Sequence, residues 1–238
     1  MRALRISVIV LLTLAVLGVA ADRVAVRLVQ AEAGDRIRQE YDLSKSPEIR
    51  INGFPFLTQV LGRRFERVDV DLSGIEAAGE AGSRLTLVEA RARLHELKVQ
   101  GDNWDRATAA KAEGRVRISY DDVTRAIPGN VVKVTYGGRD AAGKDLVKAT
   151  VRVNYLGQHL ERSALGRISV ENGDTIRLQA AEIQGGELVP GLEDFLRERI
   201  DFEWKITDLP RGIELDDVSV SERGIAISGG GTNVLLAR

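Results

Sequence analysis

The chain opens with an uninterrupted apolar stretch that is bounded by charges on both sides. Two arginines precede it, the sixteen residues 6–21 carry no charge, and Asp22-Arg23 ends it. A short basic segment before an apolar run is typical of a secretory signal. The run is shorter than the roughly 20 residues that a membrane-spanning helix needs. Cleavage after Ala20 or Ala21 and retention as an uncleaved anchor are both open, and either one predicts export.

The next apolar positions recur at helical spacing. Val24, Leu28 and Ala31 lie three or four residues apart, and charged or amide side chains fill the positions between them. This spacing predicts an amphipathic helix from Asp22 to Tyr41. If the leader is uncleaved, the helix continues directly from it.

Most of the remaining chain alternates between apolar and polar residues, which is typical of half-buried strands. Hairpins are predicted across the loop 137–144 and across Asn172-Gly173-Asp174. Gly114 is interpreted as a bulge. The predicted strands cover residues 48–51, 65–72, 104–120, 131–136, 146–155, 167–171, 175–183, 213–220, 224–227 and 233–236.

Three further segments complete the pattern. Residues 84–99 change the parity of their alternation, which favours a long bulged strand and leaves a helix as the alternative. Short helices are predicted over 119–127, where Ser119 offers an N-cap, and over 191–203. The chain lacks the regular βα alternation of nucleotide-binding folds. The pattern therefore indicates antiparallel β structure with a few helices, in one domain over 22–238 after the leader or anchor 1–21.

Composition narrows the function. The absence of cysteine excludes disulfides, thiolate chemistry and an acylated lipoprotein anchor. A net charge of −1 and 5% aromatic residues argue against nucleic-acid binding. Such a composition leaves an exported binding or structural protein as the main class.

The candidate catalytic features are weak. The stretch Gly229-Gly230-Gly231-Thr232 precedes a strand and has no following lysine, so it is interpreted as a turn rather than a phosphate loop. His95 and His159 have no second histidine at helical spacing and are interpreted as structural. Paired aspartates are more simply caps and solvated strand ends. We therefore predict no enzyme, no metal site and no cofactor.

Residues 51–62 hold an unusual density of large apolar side chains. Phe54, Phe56 and Leu57 surround Pro55, and arginines follow at once. One interpretation is an aromatic plug for one end of the core. The other is an apolar wedge at a membrane surface, with arginines for anionic headgroups. The candidate headgroup residues are Arg63, Arg64 and Arg67.

The same stretch, from Ile51-Asn52-Gly53-Phe54-Pro55-Phe56-Leu57-Thr58-Gln59 through Gly62 to Val68-Asp69-Val70, resembles the LmeA-like phospholipid-binding family of bacterial envelope proteins. The helix start at Ser119-Tyr120-Asp121-Asp122-Val123 and the Leu209-Pro210-x-Gly212 segment are also similar. The resemblance covers the chain from about Val24 to Leu236.

This resemblance implies a strongly curved antiparallel β-sheet wrapped around a long helix, similar to tubular lipid-binding proteins. It implies non-covalent binding of phospholipid, phosphoinositides included, and a role in envelope glycolipid assembly beside a glycosyltransferase. The expected role is non-enzymatic, in the periplasm or at the outer face of the cytoplasmic membrane. The alternative is an adaptor that stabilises a membrane enzyme without binding lipid. The candidate lipid-binding residues are Phe54, Phe56, Leu57, Val60, Leu61, Val24 and Leu28.

Overall fold

A computed structural model describes residues 2–78, 84–100, 106–126, 131–155, 158–184, 202–207 and 209–237. Its helices and strands follow one another in the order in which they are numbered here. The helices are α1 (Arg2–Glu40), α2 (Phe56–Leu61) and α3 (Tyr120–Ala126). The strands are β1 (Glu48–Asn52), β2 (Arg64–Asp71), β3 (Ile75–Ala78), β4 (Arg84–Gln100), β5 (Arg106–Ile118), β6 (Val131–Arg139), β7 (Asp145–Tyr155), β8 (Gln158–Glu171), β9 (Thr175–Gln184), β10 (Phe202–Lys205), β11 (Arg211–Ser221) and β12 (Gly224–Ala237).

The strands form two antiparallel sheets where the sequence predicts one. Sheet A has the order β1-β2-β4-β5-β12-β11, with β3 paired to β4, and sheet B has the order β10-β9-β8-β7-β6. The sheets meet at β11, where the Leu215 amide donates to the Gly173 carbonyl at 2.7 Å. Val220 and Ile225 of sheet A share a buried cluster with Val134 and Val147 of sheet B. The α+β class is confirmed, and the strong curvature stays a prediction.

Helix α1 is continuous from the apolar leader into the folded domain. The predicted helix from Asp22 is confirmed, and it ends at Glu40. Val26, Ala33 and Ile37 pack on the core face of sheet A because they lie on one stripe of the helix. Every side chain from Leu4 to Ala21 is exposed, and this is the one helix of the described residues long and apolar enough to cross a membrane.

Most of the predicted strands are confirmed. Both hairpins form, β6 with β7 and β8 with β9. Residues 84–99 are strand β4 rather than a helix, and the register with β5 shifts between Leu87 and Glu89, which locates the predicted bulge at Val88. Ser119 caps α3, since its Oγ accepts from the Asp122 amide at 3.1 Å. The predicted helix 191–203 lies outside the described residues up to position 201, and its last two residues, 202 and 203, belong to strand β10 instead. Residues 104, 105 and 127 also lie outside the described residues.

Two glycine interpretations are wrong. Gly114 lies in regular register with both β4 and β12, so no bulge is present there. Gly229–Gly231 is not a turn, because β12 runs unbroken where two short strands are predicted. A Cβ on Gly231 would stand 1.6 Å from the Gly212 carbonyl oxygen. These glycines therefore allow the bulged strand β11 to approach β12 closely.

Along one line across sheet A, the alternation of side chains between the two faces shifts by one residue. Glu96 of β4 and Asn233 of β12 have positive φ, and pairing skips these positions on both strands. The core-facing residues accordingly change parity, from Leu94 to Leu97 on β4 and from Ala112 to Ala109 on β5. Sheet A thus has a short end beyond this line, built from the start of β2, the ends of β4 and β12, and the starts of β5 and β11; we call it the rim.

The close approach of β11 and β12 predicts that alanine substitution affects stability differently at two glycines, both of which lie in paired strands. Gly231→Ala should lower the free energy of unfolding by at least about 2 kcal/mol, because its Cβ collides with backbone. Gly114→Ala should be neutral or slightly stabilising, since its Cβ would have no neighbour nearer than 3.8 Å. Thermal unfolding of the full chain in detergent measures both. Equal melting temperatures for the two variants would contradict the described β11–β12 packing.

Candidate functional site

The junction between α1 and α2 is held by one buried carboxylate. Asp22, which is 2% exposed, accepts a hydrogen bond from the Leu57 amide at 2.8 Å and forms an ion pair with Arg23. Pro55, the residue before α2, gives no side-chain cap. The first turn of α2 is therefore capped by a residue of α1, because helix N-terminal amides need an acceptor.

Electrostatics keep this carboxylate ionised. Burial by itself would raise the pKa of the Asp22 carboxyl. The hydrogen bonds from Arg23 and from the amides of Leu57 and Phe56 outweigh burial and hold the pKa below its ordinary value. The junction therefore carries a buried negative charge that is satisfied by α2 and by its own neighbour.

Phe56 is the plug of the core. Its side chain is 1% exposed, packs beside Phe65 with ring centroids 6.4 Å apart, and belongs to the same cluster as Val26 of α1. Val60, one turn later, is half-buried against that cluster. These residues join α1, α2 and sheet A in one apolar core.

Phe54, Leu57 and Leu61 form an exposed apolar surface around the same short helix. Phe54 is 56% exposed and Leu61 is 85% exposed. The Arg23 guanidinium lies 5.1 Å from the centre of the Phe54 ring, a cation–π contact. The plug interpretation therefore fits Phe56, and the wedge interpretation stays a prediction for Phe54, Leu57 and Leu61.

Val24 and Leu28 lie apart from this group. They are 57% and 66% exposed and project from the face of α1 opposite to the stripe that packs on sheet A. The structure thus brings Phe56 and Val60 together with Val26 and not with Val24 or Leu28.

The three candidate headgroup arginines differ in their surroundings. Arg63 and Arg64 are exposed where α2 passes into β2, and the Arg63 carbonyl accepts from the Val99 amide at 3.0 Å. Arg67 lies further along β2 and forms an ion pair with Asp69 at 3.2 Å. Arg63 and Arg64 are therefore at the rim, whereas Arg67 belongs to the charged face of the sheet.

Three residues that hold this segment in place were missed as site residues by sequence reasoning. Gln59 is buried, and its Oε1 accepts from the Glu66 amide at 2.9 Å, which ties α2 to β2. Gly53 has φ +100°, and a Cβ there would lie 2.7 Å from the Gln59 amide nitrogen. The third is Asp22, whose only sequence signal is its position directly after the apolar run.

The core face of sheet A also carries apolar side chains that are not fully buried. Leu94, Ala107, Ile213 and Leu236, from four different strands, are only half-buried against the core cluster. The small side chains Ala109 and Ala112 lie in the same cluster. This arrangement leaves a strip of accessible apolar surface beside the helix, and such surface is suited to acyl chains.

The other face of sheet A carries a charged depression of about 500 Å³. Arg91 pairs with Asp71 at 3.1 Å and Arg93 pairs with Asp69 at 3.2 Å. Its charged lining residues, four of each sign, are Glu48, Arg50, Asp69, Asp71, Arg91, Arg93, Glu113 and Arg115. Matched charges exclude acyl chains from this depression, so it is not the lipid candidate.

In the described part of the chain, a metal site would need a cluster of histidine or carboxylate side chains. No group of three or more histidine or carboxylate side chains there is arranged to hold a metal ion. His95 lies within β4, opposite Arg67 and Lys111. The positive charges of these two neighbours would repel a metal cation at His95. The side chain of His159 lies outside the described residues.

Together, the fold and this apolar segment define a mostly β protein with an amphipathic helix against an accessible apolar sheet face. A family model described as LmeA-like phospholipid-binding matches residues 20–230. The chain belongs to this family, as the resemblance of residues 51–70 predicts. No curated protein and no solved structure matches the chain.

The Asp22 cap predicts a specific acid sensitivity. Because the folded-state pKa lies below the unfolded value of about 3.9, the stabilisation is complete above that value and disappears as the pH falls through the folded-state pKa. Asp22→Asn should therefore lower the melting temperature at pH 7, and the difference from the parent chain should shrink below about pH 4. A difference that stays constant from pH 7 to pH 3 would contradict an ionised cap.

Alanine variants of Phe54 and Phe56 test which of the two rings fills the core. Phe56→Ala should lower the free energy of unfolding by about 3–5 kcal/mol, because it leaves a cavity in the core. Phe54→Ala should cost less than about 1 kcal/mol, since the ring is exposed and loses only a cation–π contact. Chemical denaturation of both variants measures the difference, and a larger cost at Phe54 would contradict the described burial.

Proposed function

We propose that this chain is an exported, non-enzymatic phospholipid-binding protein of the bacterial cell envelope. Family membership supports phospholipid as the ligand. The observation that carries the proposal is the half-buried apolar strip of Leu94, Ala107, Ile213 and Leu236 beside α1. Acyl chains would lie on this strip, where they remove apolar surface from water on both partners.

The 53–64 segment would form the entrance to this groove. Phe56 and Val60 would close its inner end, while Phe54, Leu57 and Leu61 would contact the lipid as it enters. Arg63 and Arg64 would meet a phosphate, for which guanidinium groups are well matched; anionic phospholipids, phosphoinositides included, are the favoured class. Arg67 would contribute less, because its guanidinium already forms an ion pair with Asp69. The strongly curved sheet that the family implies would deepen this groove.

We further propose that α1 remains as a membrane anchor. The uncharged stretch 6–21 is 16 residues of one unbroken helix, so it spans about 24 Å. A hydrocarbon core is about 30 Å thick. Arg2 and Arg5 would stay on the cytoplasmic side, and the folded domain would lie at the outer face of the cytoplasmic membrane. Val24 and Leu28, which point away from sheet A, would lie just beyond this span, against the lipid headgroups.

The second candidate is an adaptor that stabilises a membrane enzyme, such as an envelope glycosyltransferase, without binding lipid. Val24 and Leu28 favour it, because they continue an exposed apolar stripe of α1 beyond the membrane span. A stripe of this kind is suited to packing against another helix. Both candidates would support envelope lipid or glycolipid homeostasis, and they differ in whether a lipid is bound.

Lipid extraction and native mass spectrometry on the full chain test the proposal. The intact chain should carry phospholipid at a near-stoichiometric ratio, with its N-terminal residues retained. Ile213→Glu and Leu236→Glu should each reduce the bound phospholipid at least tenfold, because a carboxylate on the strip opposes apolar contact.

Val88→Glu is the matched control, since Val88 is an exposed valine on β4 outside the strip. It should leave the bound phospholipid unchanged. If the parent chain has no bound phospholipid even after incubation with anionic vesicles, the adaptor candidate replaces the proposal. A chain cut after Ala20 or Ala21 would overturn the anchor.

A further inference from the structure

The rim of sheet A presents a row of cations. Arg64 begins β2, Lys98 lies near the end of β4, Arg106 begins β5 and Arg211 begins β11. All four side chains are exposed. Because neighbouring strands lie about 4.8 Å apart, the five strands from β2 to β11 place this row across about 19 Å.

Two of these cations are direct neighbours of like charge. Arg64 stands directly opposite Lys98 in the β2–β4 register, and like charges in that position destabilise a sheet. In the described part of the chain none of the four forms an ion pair. Elsewhere on sheet A most of the described arginines form ion pairs, namely Arg50, Arg67, Arg91, Arg93 and Arg117. Among the described residues the rim therefore holds a repulsion between Arg64 and Lys98 that an external anion would reduce.

The cationic row borders the exposed apolar surface of Phe54, Leu57 and Leu61. Arg63 connects α2 to the rim through its bond with the Val99 amide. The Asp22–Leu57 bond sets α2 level with the last turn of the exposed apolar half of α1. Apolar side chains, cations and the end of a membrane-length helix therefore lie at one end of the molecule.

We propose that the rim and α2 dock onto the anionic headgroups of the same leaflet from which α1 emerges. This inference rests on the proposed anchor and adds a second attachment. Phe54, Leu57 and Leu61 enter the interfacial layer, as exposed apolar side chains beside cations do on lipid surfaces. Arg64, Lys98, Arg106 and Arg211 contact lipid phosphates. The domain then stands with its groove entrance at the membrane rather than free on a tether.

Lipid-quenching fluorescence tests the docking. The chain has no cysteine, so Leu61→Cys and Glu222→Cys each give one labelling position, the first on α2 and the second in the exposed β11–β12 turn at the opposite end of sheet A. The full chain is reconstituted in vesicles of 30% phosphatidylglycerol in phosphatidylcholine, doped with nitroxide-bearing lipid. The label at 61 should be quenched several-fold more strongly than the label at 222.

Charge variants separate the rim from a general effect of charge. Lys98→Gln, Arg106→Gln and Arg211→Gln combined leave the lipid entrance intact and should shift the docked-to-undocked ratio by roughly 100-fold, at about fivefold per cation. The control combines Lys133→Gln, Lys144→Gln and Arg223→Gln, three exposed cations away from the rim. It should leave quenching at position 61 unchanged.

Equal quenching at 61 in the rim variant and the parent chain, or equal quenching in vesicles of phosphatidylcholine alone, would overturn the docking. Co-purified phospholipid is measured on the same proteins. A rim variant that loses quenching and keeps its bound lipid supports docking as a separate property. If no protein carries bound lipid while the quenching pattern holds, the proposed function fails and the docking stands.

Discussion

The buried carboxylate of Asp22 is the interaction on which the rest of the structure depends. It accepts hydrogen bonds from the first turn of α2 and so fixes that helix to the point where α1 leaves its exposed apolar half. A buried charge is costly unless it is paired and hydrogen-bonded, and here the Arg23 guanidinium and the α2 amides satisfy it. The position of Phe56 in the core and of Phe54, Leu57 and Leu61 outside it follows from this cap.

The proposed function and the proposed docking use opposite sides of helix α2. Phe56 and Val60 face the core cluster, whereas Leu57 and Leu61 face outward from the same short helix. A lipid that leaves the bilayer near α2 would meet the rim cations first and the apolar strip next. The charged depression on the other face of sheet A carries matched ion pairs, so it offers no competing apolar site.

Much of the fold could be predicted because local chemistry determines it. Alternation located the strands, Asn172-Gly173 located a hairpin, and the Ser119 cap located α3. The glycines of β12 could not be interpreted correctly from the sequence. They are needed because β11 approaches β12 closely, and that approach depends on the bulges of β11, which no local pattern around Gly229–Gly231 records. The division into two sheets depends on packing that no local pattern records.

The sequence predicted which residues belong to the candidate site, but it did not predict which of them are buried and which are exposed. Residues 51–62 stood out by their apolar density, and the family match over 20–230 agrees with that choice. The pattern could not say that Phe56 is buried while Phe54 is exposed, since both flank Pro55 in sequence. Nor could it show that Val24 and Leu28 face away from the sheet, because helical spacing gives a stripe without saying what it contacts.

Photo-crosslinking with a diazirine-bearing anionic phospholipid is the most direct measurement of where lipid is held. The full chain is reconstituted with the probe, and the modified residues are mapped by peptide mass spectrometry. Phospholipid held on sheet A predicts crosslinks at Leu94, Ile213 or Leu236, in addition to those that any membrane helix gives. Crosslinks confined to Leu4–Val19, with none on the core face of sheet A, would contradict phospholipid binding by this domain.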